Sequence, residues 1–250
     1  MIRSSLLDNQ SFLSYGFFNR DGGKSKGIYK SLNCGKGSKD NVKNIYKNLK
    51  IVSKKIGCSE RNLIFLNQVH SSKVYKINTV PKIKLIGDAF VTKKSNIALS
   101  IITADCAPVF IIDKKEKFIA AIHAGWKGAF KGIIKNTINI LKKNGCLEKN
   151  MIACVGPCIK KTNYEVQDDF LNRFKKKSRK NLNFFTFKKK KIYFDLSGFI
   201  KSQLNANGIK NLNIIRKDTF NERNNFFSSR RSKKNHHNDY GRNISIIMIK

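Results

Sequence analysis

Short, nearly continuous apolar runs punctuate this chain, at residues 13–19, 63–66, 74–77, 83–91, 109–112, 118–122, 151–155, 192–194, 212–215 and 244–249. Each is too short for a helix and is bounded by turn residues, so each predicts a buried strand. A further strand over 183–187 pairs with 192–194 about a lysine turn. Other stretches carry the helical period. Val42, Ile45, Tyr46, Leu49, Val52 and Ile56 fall on one face of a helix over 39–56, with Ser38 or Asp40 placed to cap its start and Gly57 to end it. Trp126, Phe130, Ile133, Ile134, Thr137, Ile138 and Leu141 form the stripe of a helix over 126–144, and Gly145 stands where a left-handed cap is wanted. A helix opens at Tyr164-Glu165-Val166 and dissolves into basic residues at Lys175, and another runs from Asp195 through Leu204 to a stop near Gly208. Residues 216–242 read as polar and irregular.

Nothing along the 250 residues resembles a linker or an internal repeat, so a single domain over 1–250 is expected. Hydrophobic content of 40% and 18 Phe supply a core and argue against disorder. No apolar stretch is long enough to span a bilayer, and Met1-Ile2-Arg3 leads into polar residues rather than a signal-peptide core, which predicts a cytoplasmic protein with no membrane partner. The six Cys, at 34, 58, 106, 146, 154 and 158, are then expected to be reduced. Cys154 and Cys158 lack the spacing of a redox or zinc knuckle and read as buried structural thiols.

The 51 Lys and Arg against 16 Asp and Glu leave a formal charge of +35, which taken alone suggests an anionic partner. The excess is mostly Lys, spread along the chain with abundant Asn and Ile, and an AT-rich coding sequence accounts for that trio. Dense clusters occur only at 175–180 and 188–191, without aromatics interleaved for base stacking, so no specific nucleic-acid partner is expected.

The chemistry concentrates between Ser100 and Gly128. Cys106 and His123 each stand at the end of an apolar run beside a turn, and His70 follows the 63–66 run. Two imidazoles and a thiolate make a three-ligand zinc site with an open fourth position, the catalytic rather than the structural pattern. An equally physical reading makes Cys106 a nucleophile activated by His123. Asp88, in Gly87-Asp88-Ala89, is placed to cap backbone amides or to touch substrate. His123 lies just ahead of a helix start, where free amides favour an anionic group. Adjacent His236 and His237 read as exposed.

Six ordered motifs then carry a resemblance: Asn67-Gln68-Val69-His70; Gly87-Asp88-Ala89; Thr103-Ala104-Asp105-Cys106-Ala107-Pro108-Val109; His123-Ala124-Gly125-Trp126; Gly156-Pro157 with Tyr164-Glu165-Val166; and Phe226-Phe227-Ser228-Ser229-Arg230-Arg231 with Gly241-Arg242. In this order they resemble the YfiH-type family, also called multicopper polyphenol oxidase (laccase domain), peptidoglycan editing factor and multifunctional purine nucleoside phosphorylase. The resemblance implies a mixed α/β fold, α+β-like, with mixed sheets sandwiched between helices. It implies zinc, with copper as the other metal, held by His70, Cys106 and His123, which are also the implied catalytic residues. The implied activity is phosphorolysis of adenosine, inosine, guanosine and methylthioadenosine, with adenosine deamination, so purine nucleosides and phosphate are the expected partners. Arg20, Lys127 and Arg230 are the candidates for phosphate and Asn33 for the nucleoside, while Asp105 is a candidate to orient a ligand. Lys127 stands where Arg is usual, and Asn163 and Asp218 stand where Cys is usual. The alternatives are a copper-dependent polyphenol oxidase, a cysteine hydrolase acting on cell-wall precursors, and a nonenzymatic polyanion-binding protein.

Overall fold

Strands Ala107–Asp113 and Phe118–Ala124 are buried along their whole length because other layers cover both faces of their sheet. In the computed structural model, which describes residues 1–250, they are the centre of a six-stranded mixed sheet. From one edge to the other its strands are Leu212–Ile214, Met151–Val155, Ala107–Asp113, Phe118–Ala124, Ala89–Thr92 and Val74–Lys76. The two outermost pairs are parallel and the inner ones antiparallel.

A four-stranded sheet lies against one face, in the order Leu13–Phe17, Asn243–Ile249, Ala98–Thr103, Leu63–Ile64. Alternation along each strand sorts the side chains between layers. Phe110 and Ile112 meet Tyr15, Phe17, Leu99 and Ile247 between the two sheets, where the Phe17 and Phe110 rings stack at 4.6 Å. Val109 and Ile111 point the other way, toward helices Ile133–Lys143 and Leu196–Ala206. A three-stranded sheet of Glu165–Val166, Lys191–Phe194 and Phe185–Lys188 closes that side, with Phe170, Phe174, Phe185 and Phe194 clustered beneath it. Helix Val42–Ile56 covers the outer face of the four-stranded sheet through Ile45, Leu49, Val52 and Ile56. The expected mixed α/β architecture, sheets sandwiched between helices, is therefore the observed one.

Local departures have local causes. The expected helix over 126–144 is two helices, Trp126–Lys131 and Ile133–Lys143, because Gly132 adopts φ +92°, a left-handed conformation that ends the first. Periodicity runs through the break and hides it. Glu165–Val166 is a strand, and the helix starts later, at Asp168. The 63–66 run splits at Phe65 between two sheets, and the 83–91 run splits into Leu85–Ile86 and Ala89–Thr92. Helix Val42–Ile56 is capped by the Asn41 side chain, not by Ser38 or Asp40, and Gly57 ends it at φ +82° as expected. The polar 216–242 stretch contains a short helix, Ser229–Lys234. All six Cys are free thiols, with Cys154 and Cys158 buried. No helix is long and apolar enough to cross a membrane.

Candidate metal centre

Sheet register assembles the site. Pro108 pairs with His123 and Ala107 with Ala124, so Cys106, just ahead of its strand, is delivered beside His123. On the other flank Ala89 pairs with Ile122, which brings Asp88 to His123. His70 comes from the loop after strand Leu66–Asn67. The Gln68 amide fixes that loop like an extra rung of a ladder, donating to the Ile102 carbonyl at 2.7 Å while its oxygen accepts from the Ile102 N–H at 2.9 Å. The ligand atoms of His70, Cys106 and His123 all lie within 4.8 Å of one another.

Asp88 is the hub. Its fully buried carboxylate accepts from the N–H groups of Val69, His70 and Ser71 at 3.3, 3.0 and 2.6 Å, from the Ser71 hydroxyl at 2.7 Å, and from His123 Nδ1 at 2.8 Å. It therefore caps backbone amides, as the sequence suggests. The sequence does not reveal that the same group holds the ring of His123. With Nδ1 donating to Asp88, Nε2 is left for a metal, the usual arrangement behind a ligating histidine. Burial opposes the charge on Asp88, but its bonds to His123 and Ser71 outweigh that and hold its pKa down to about 2. Burial likewise pushes the Cys106 thiol up, and the charges and hydrogen bonds of His123 and His70 reverse the shift, which favours the thiolate. The structure supports His70 with a left-handed backbone, φ +57°, tied down by the bond from its N–H to Asp88.

These residues fit a metal ion. Two imidazoles and a thiolate are the donors zinc and copper prefer, and the backbone makes room for them at Gly125. A Cβ there would lie 2.8 Å from Cys106 Sγ and 2.8 Å from His70 Cδ2. Gly125→Ala is thus expected to push two ligands apart and weaken zinc binding roughly tenfold or more, the scale on which lost ligand support acts. Competition with a chromophoric chelator measures it; affinity within twofold of the parent would show that the ligands tolerate the methyl.

The centre opens on a cavity of about 570 Å³ lined by His70, Cys106 and His123 together with Lys36, Lys84, Arg242, Phe65, Gln68 and Tyr240. None of Arg20, Asn33, Lys127 and Arg230 lines it. Arg20 lies in a second cavity, 3.6 Å from Glu222. Lys127 and Arg230 line a third, where the Arg230 guanidinium sits over Tyr164 and donates to the Glu165 carbonyl at 2.8 Å. Asn33 is fully buried, and its amide is taken up by Ser38, Asp40, the Gly35 N–H and the Arg242 N–H, so it shapes a loop. Asp105 orients no ligand ring. It accepts from Thr219 Oγ1 and the Arg230 N–H, both at 2.7 Å, and so ties the Cys106 turn to helix Ser229–Lys234. The helix after His123 has only six residues, too few to build a strong positive end. Asn163 and Asp218, at the positions where thiols are usual, hydrogen-bond each other at 2.6 Å, a polar bridge between the turn at Lys161–Asn163 and the segment after strand Leu212–Ile214. His236 and His237 are exposed.

Fold and donor set define a mixed α/β protein with one His/Cys/His cluster able to hold a metal ion. Comparison with known proteins makes the class specific: the chain belongs to the family described as multi-copper polyphenol oxidoreductase laccase, the YfiH-type family, whose model matches residues 14–250. It is similar to a purine nucleoside phosphorylase of Rickettsia prowazekii, 35% identical over 69% of this chain and 72% of the relative. A purine nucleoside phosphorylase of Bacteroides thetaiotaomicron is 29% identical over 92% of this chain and 91% of its own length. Among solved structures, a Neisseria meningitidis protein superposes with a TM-score of 0.86 at 30% identity, covering 96% of this chain and 95% of that one. The Bacillus licheniformis protein YfiH gives 0.87 at 25% identity, covering 95% and 93%.

Proposed function

We propose that this protein is a zinc-dependent purine nucleoside phosphorylase acting on adenosine, inosine, guanosine and methylthioadenosine, and that it also deaminates adenosine. The observation that carries this reading is the cavity at the metal centre, whose lining holds three cations, two aromatic rings and no carboxylate. About 570 Å³ is ample for a nucleoside and an anion together. The names of the curated relatives support the same reaction.

Phosphorolysis joins a phosphate oxygen to ribose C1′ as the bond from C1′ to the purine nitrogen breaks. The protein must hold the anion against C1′ and the purine in line with it. Phe65 and Tyr240 line the cavity as apolar walls for the base, each with a cation over its ring, and the cations offset the charge of the phosphate. Zinc held by His70, Cys106 and His123 would supply Lewis acidity and would activate the water that deamination at C6 requires. Asp88 keeps the proton on His123 Nδ1, so the ring cannot turn over. One three-ligand cluster does not furnish the several coppers needed to reduce oxygen to water, which argues against a polyphenol oxidase.

A second reading has its own observation. His123 Nδ1 lies 2.8 Å from the Asp88 carboxylate, and the Cys106 thiol, 3.7 Å from His70 Nε2, lies within 4.8 Å of a His123 ring nitrogen, so the thiol, imidazole and carboxylate that a cysteine hydrolase acting on cell-wall precursors would use are close together. The two readings part under treatment. The zinc-loaded phosphorylase is expected to release hypoxanthine from inosine only when phosphate is present, with ribose 1-phosphate as coproduct, and to stop when a chelator strips the metal. Folded, zinc-loaded protein that releases no hypoxanthine at any phosphate concentration would end the phosphorylase reading. Amide hydrolysis that survives chelation but not alkylation of Cys106 would establish the hydrolase.

A further inference from the structure

We propose that Lys36 and Lys84 form the anion subsite of the metal-centre cavity and receive a phosphate group. The inference rests on the phosphorylase reading for its chemistry and goes beyond it in naming the residues.

Three cations line the cavity, and they are not equivalent. Arg242 is already engaged, donating to the Tyr240 carbonyl at 2.8 Å and standing 3.3 Å from the Asp239 carboxylate. Its stem packs where a Cβ on Gly35 would come within 2.4 Å, so it is held in place. Lys36 and Lys84 take part in none of the seven ion pairs of the chain. Both are exposed lysines without an ion-pair partner, on residues that line a cavity whose lining contains no acid.

Both are set on defined supports. Lys84 directly precedes strand Leu85–Ile86, which pairs in parallel with Leu66–Asn67, the strand that leads to Gln68 and His70. Lys36 lies in the Gly35–Gly37 loop, which the buried Asn33 fixes: its oxygen accepts from the Gly35 N–H at 3.0 Å and its nitrogen donates to Ser38 Oγ at 2.8 Å. The Lys36 ammonium stands 4.8 Å from the centroid of the Phe65 ring, another wall of the cavity. Asn33 thus affects the anion subsite through the loop that carries Lys36, without touching ligand.

Two ammonium groups act as point charges and impose no planar geometry, so they suit a tetrahedral dianion. The shared chemistry is a phosphate group, either free inorganic phosphate or the 5′-phosphate of a nucleotide substrate. Arg20, Lys127 and Arg230 line other cavities and would not contribute.

Calorimetry on the zinc-loaded protein tests this with three probes: inorganic phosphate, inosine 5′-monophosphate and inosine. The double variant Lys36→Met, Lys84→Met is expected to bind phosphate, or the nucleotide, at least tenfold more weakly than the parent, with zinc content and inosine affinity unchanged. A loss confined to inorganic phosphate identifies the free anion as the ligand, and a loss confined to the nucleotide identifies the substrate's own phosphate. Lys189→Met, Lys190→Met, which removes the same charge from a distant turn, is expected to leave all three affinities within twofold. Parent-like binding of both phosphate probes by the first double variant, equal losses in both double variants, or no binding of either probe to the parent would overturn the proposal. Binding is read without turnover. Lysine-dependent phosphate binding in a protein that never cleaves inosine would therefore sink the phosphorylase and leave the subsite.

Discussion

Replacing Cys106 with alanine is expected to remove bound zinc and to cut phosphate-dependent hypoxanthine release by about 10³-fold or more, with little change in the thermal stability of the metal-free protein. The thiolate is the one anionic donor of the three, so without it two neutral imidazoles must hold a divalent ion. A metal that stabilises transition-state charge is worth several kcal/mol, and each 1.36 kcal/mol is about tenfold in rate. The fold should survive because the Cys106 side chain abuts Gly125 and His70 at the edge of a cavity and belongs to none of the three hydrophobic cores. Metal analysis by mass spectrometry, a melting curve and the inosine assay test the three parts separately. Zinc retained at one equivalent with activity within tenfold of the parent would remove Cys106 from the metal centre.

Asp88→Asn is expected to weaken zinc binding by about 10- to 100-fold and to destabilise the protein by on the order of 2–4 kcal/mol. The Asp88 carboxylate accepts five hydrogen bonds with no solvent exposure. An amide turns one oxygen into a donor that faces N–H and O–H donors, and it leaves His123 without a charged partner. The same bonds give a pH signature. The pKa of Asp88 is held to about 2 in the folded protein, below the 3.8 of an ordinary aspartate. That difference is a stabilisation of roughly 2 kcal/mol, fully present above the unfolded pKa and lost as pH falls toward 2. Chemical denaturation of the metal-free parent and variant at pH 7 and pH 3 checks this: the gap between them should narrow at the lower pH. A gap that widens on acidification would mean that the carboxylate is not the stabilising form.

Much of the frame was legible because local pattern encodes local structure. The stripe from Val42 to Ile56 ending at Gly57 needs only the helical period and a residue free to adopt positive φ. The uninterrupted apolar runs of Ala107–Asp113 and Phe118–Ala124 announced strands covered on both faces. The turn His123-Ala124-Gly125-Trp126 marked a strand giving way to a helix beside a candidate ligand. The polar positions misled. Asn33 reads the same whether its amide faces a nucleoside or, as it does, three neighbours in its own loop and the Arg242 N–H. Arg20, Lys127 and Arg230 looked suited to phosphate, yet a cation's charge does not say which cavity it enters. Lys36 and Lys84 were two lysines among many, with no motif to mark them.

By itself, then, the sequence determined the elements, because side-chain periodicity is a property of short segments, while the six motifs, through the resemblance they carry, implied the layered α/β class and His70, Cys106 and His123 as the candidate metal ligands. Tertiary structure alone decided that Pro108 lies opposite His123 and Ala89 opposite Ile122, and so that Cys106 and Asp88 flank one imidazole. It alone decided which cations share a cavity with them. Strand register and loop packing join residues far apart in the chain, and the free energy that selects them is spread over all three hydrophobic cores, so no local stretch of sequence carries that information.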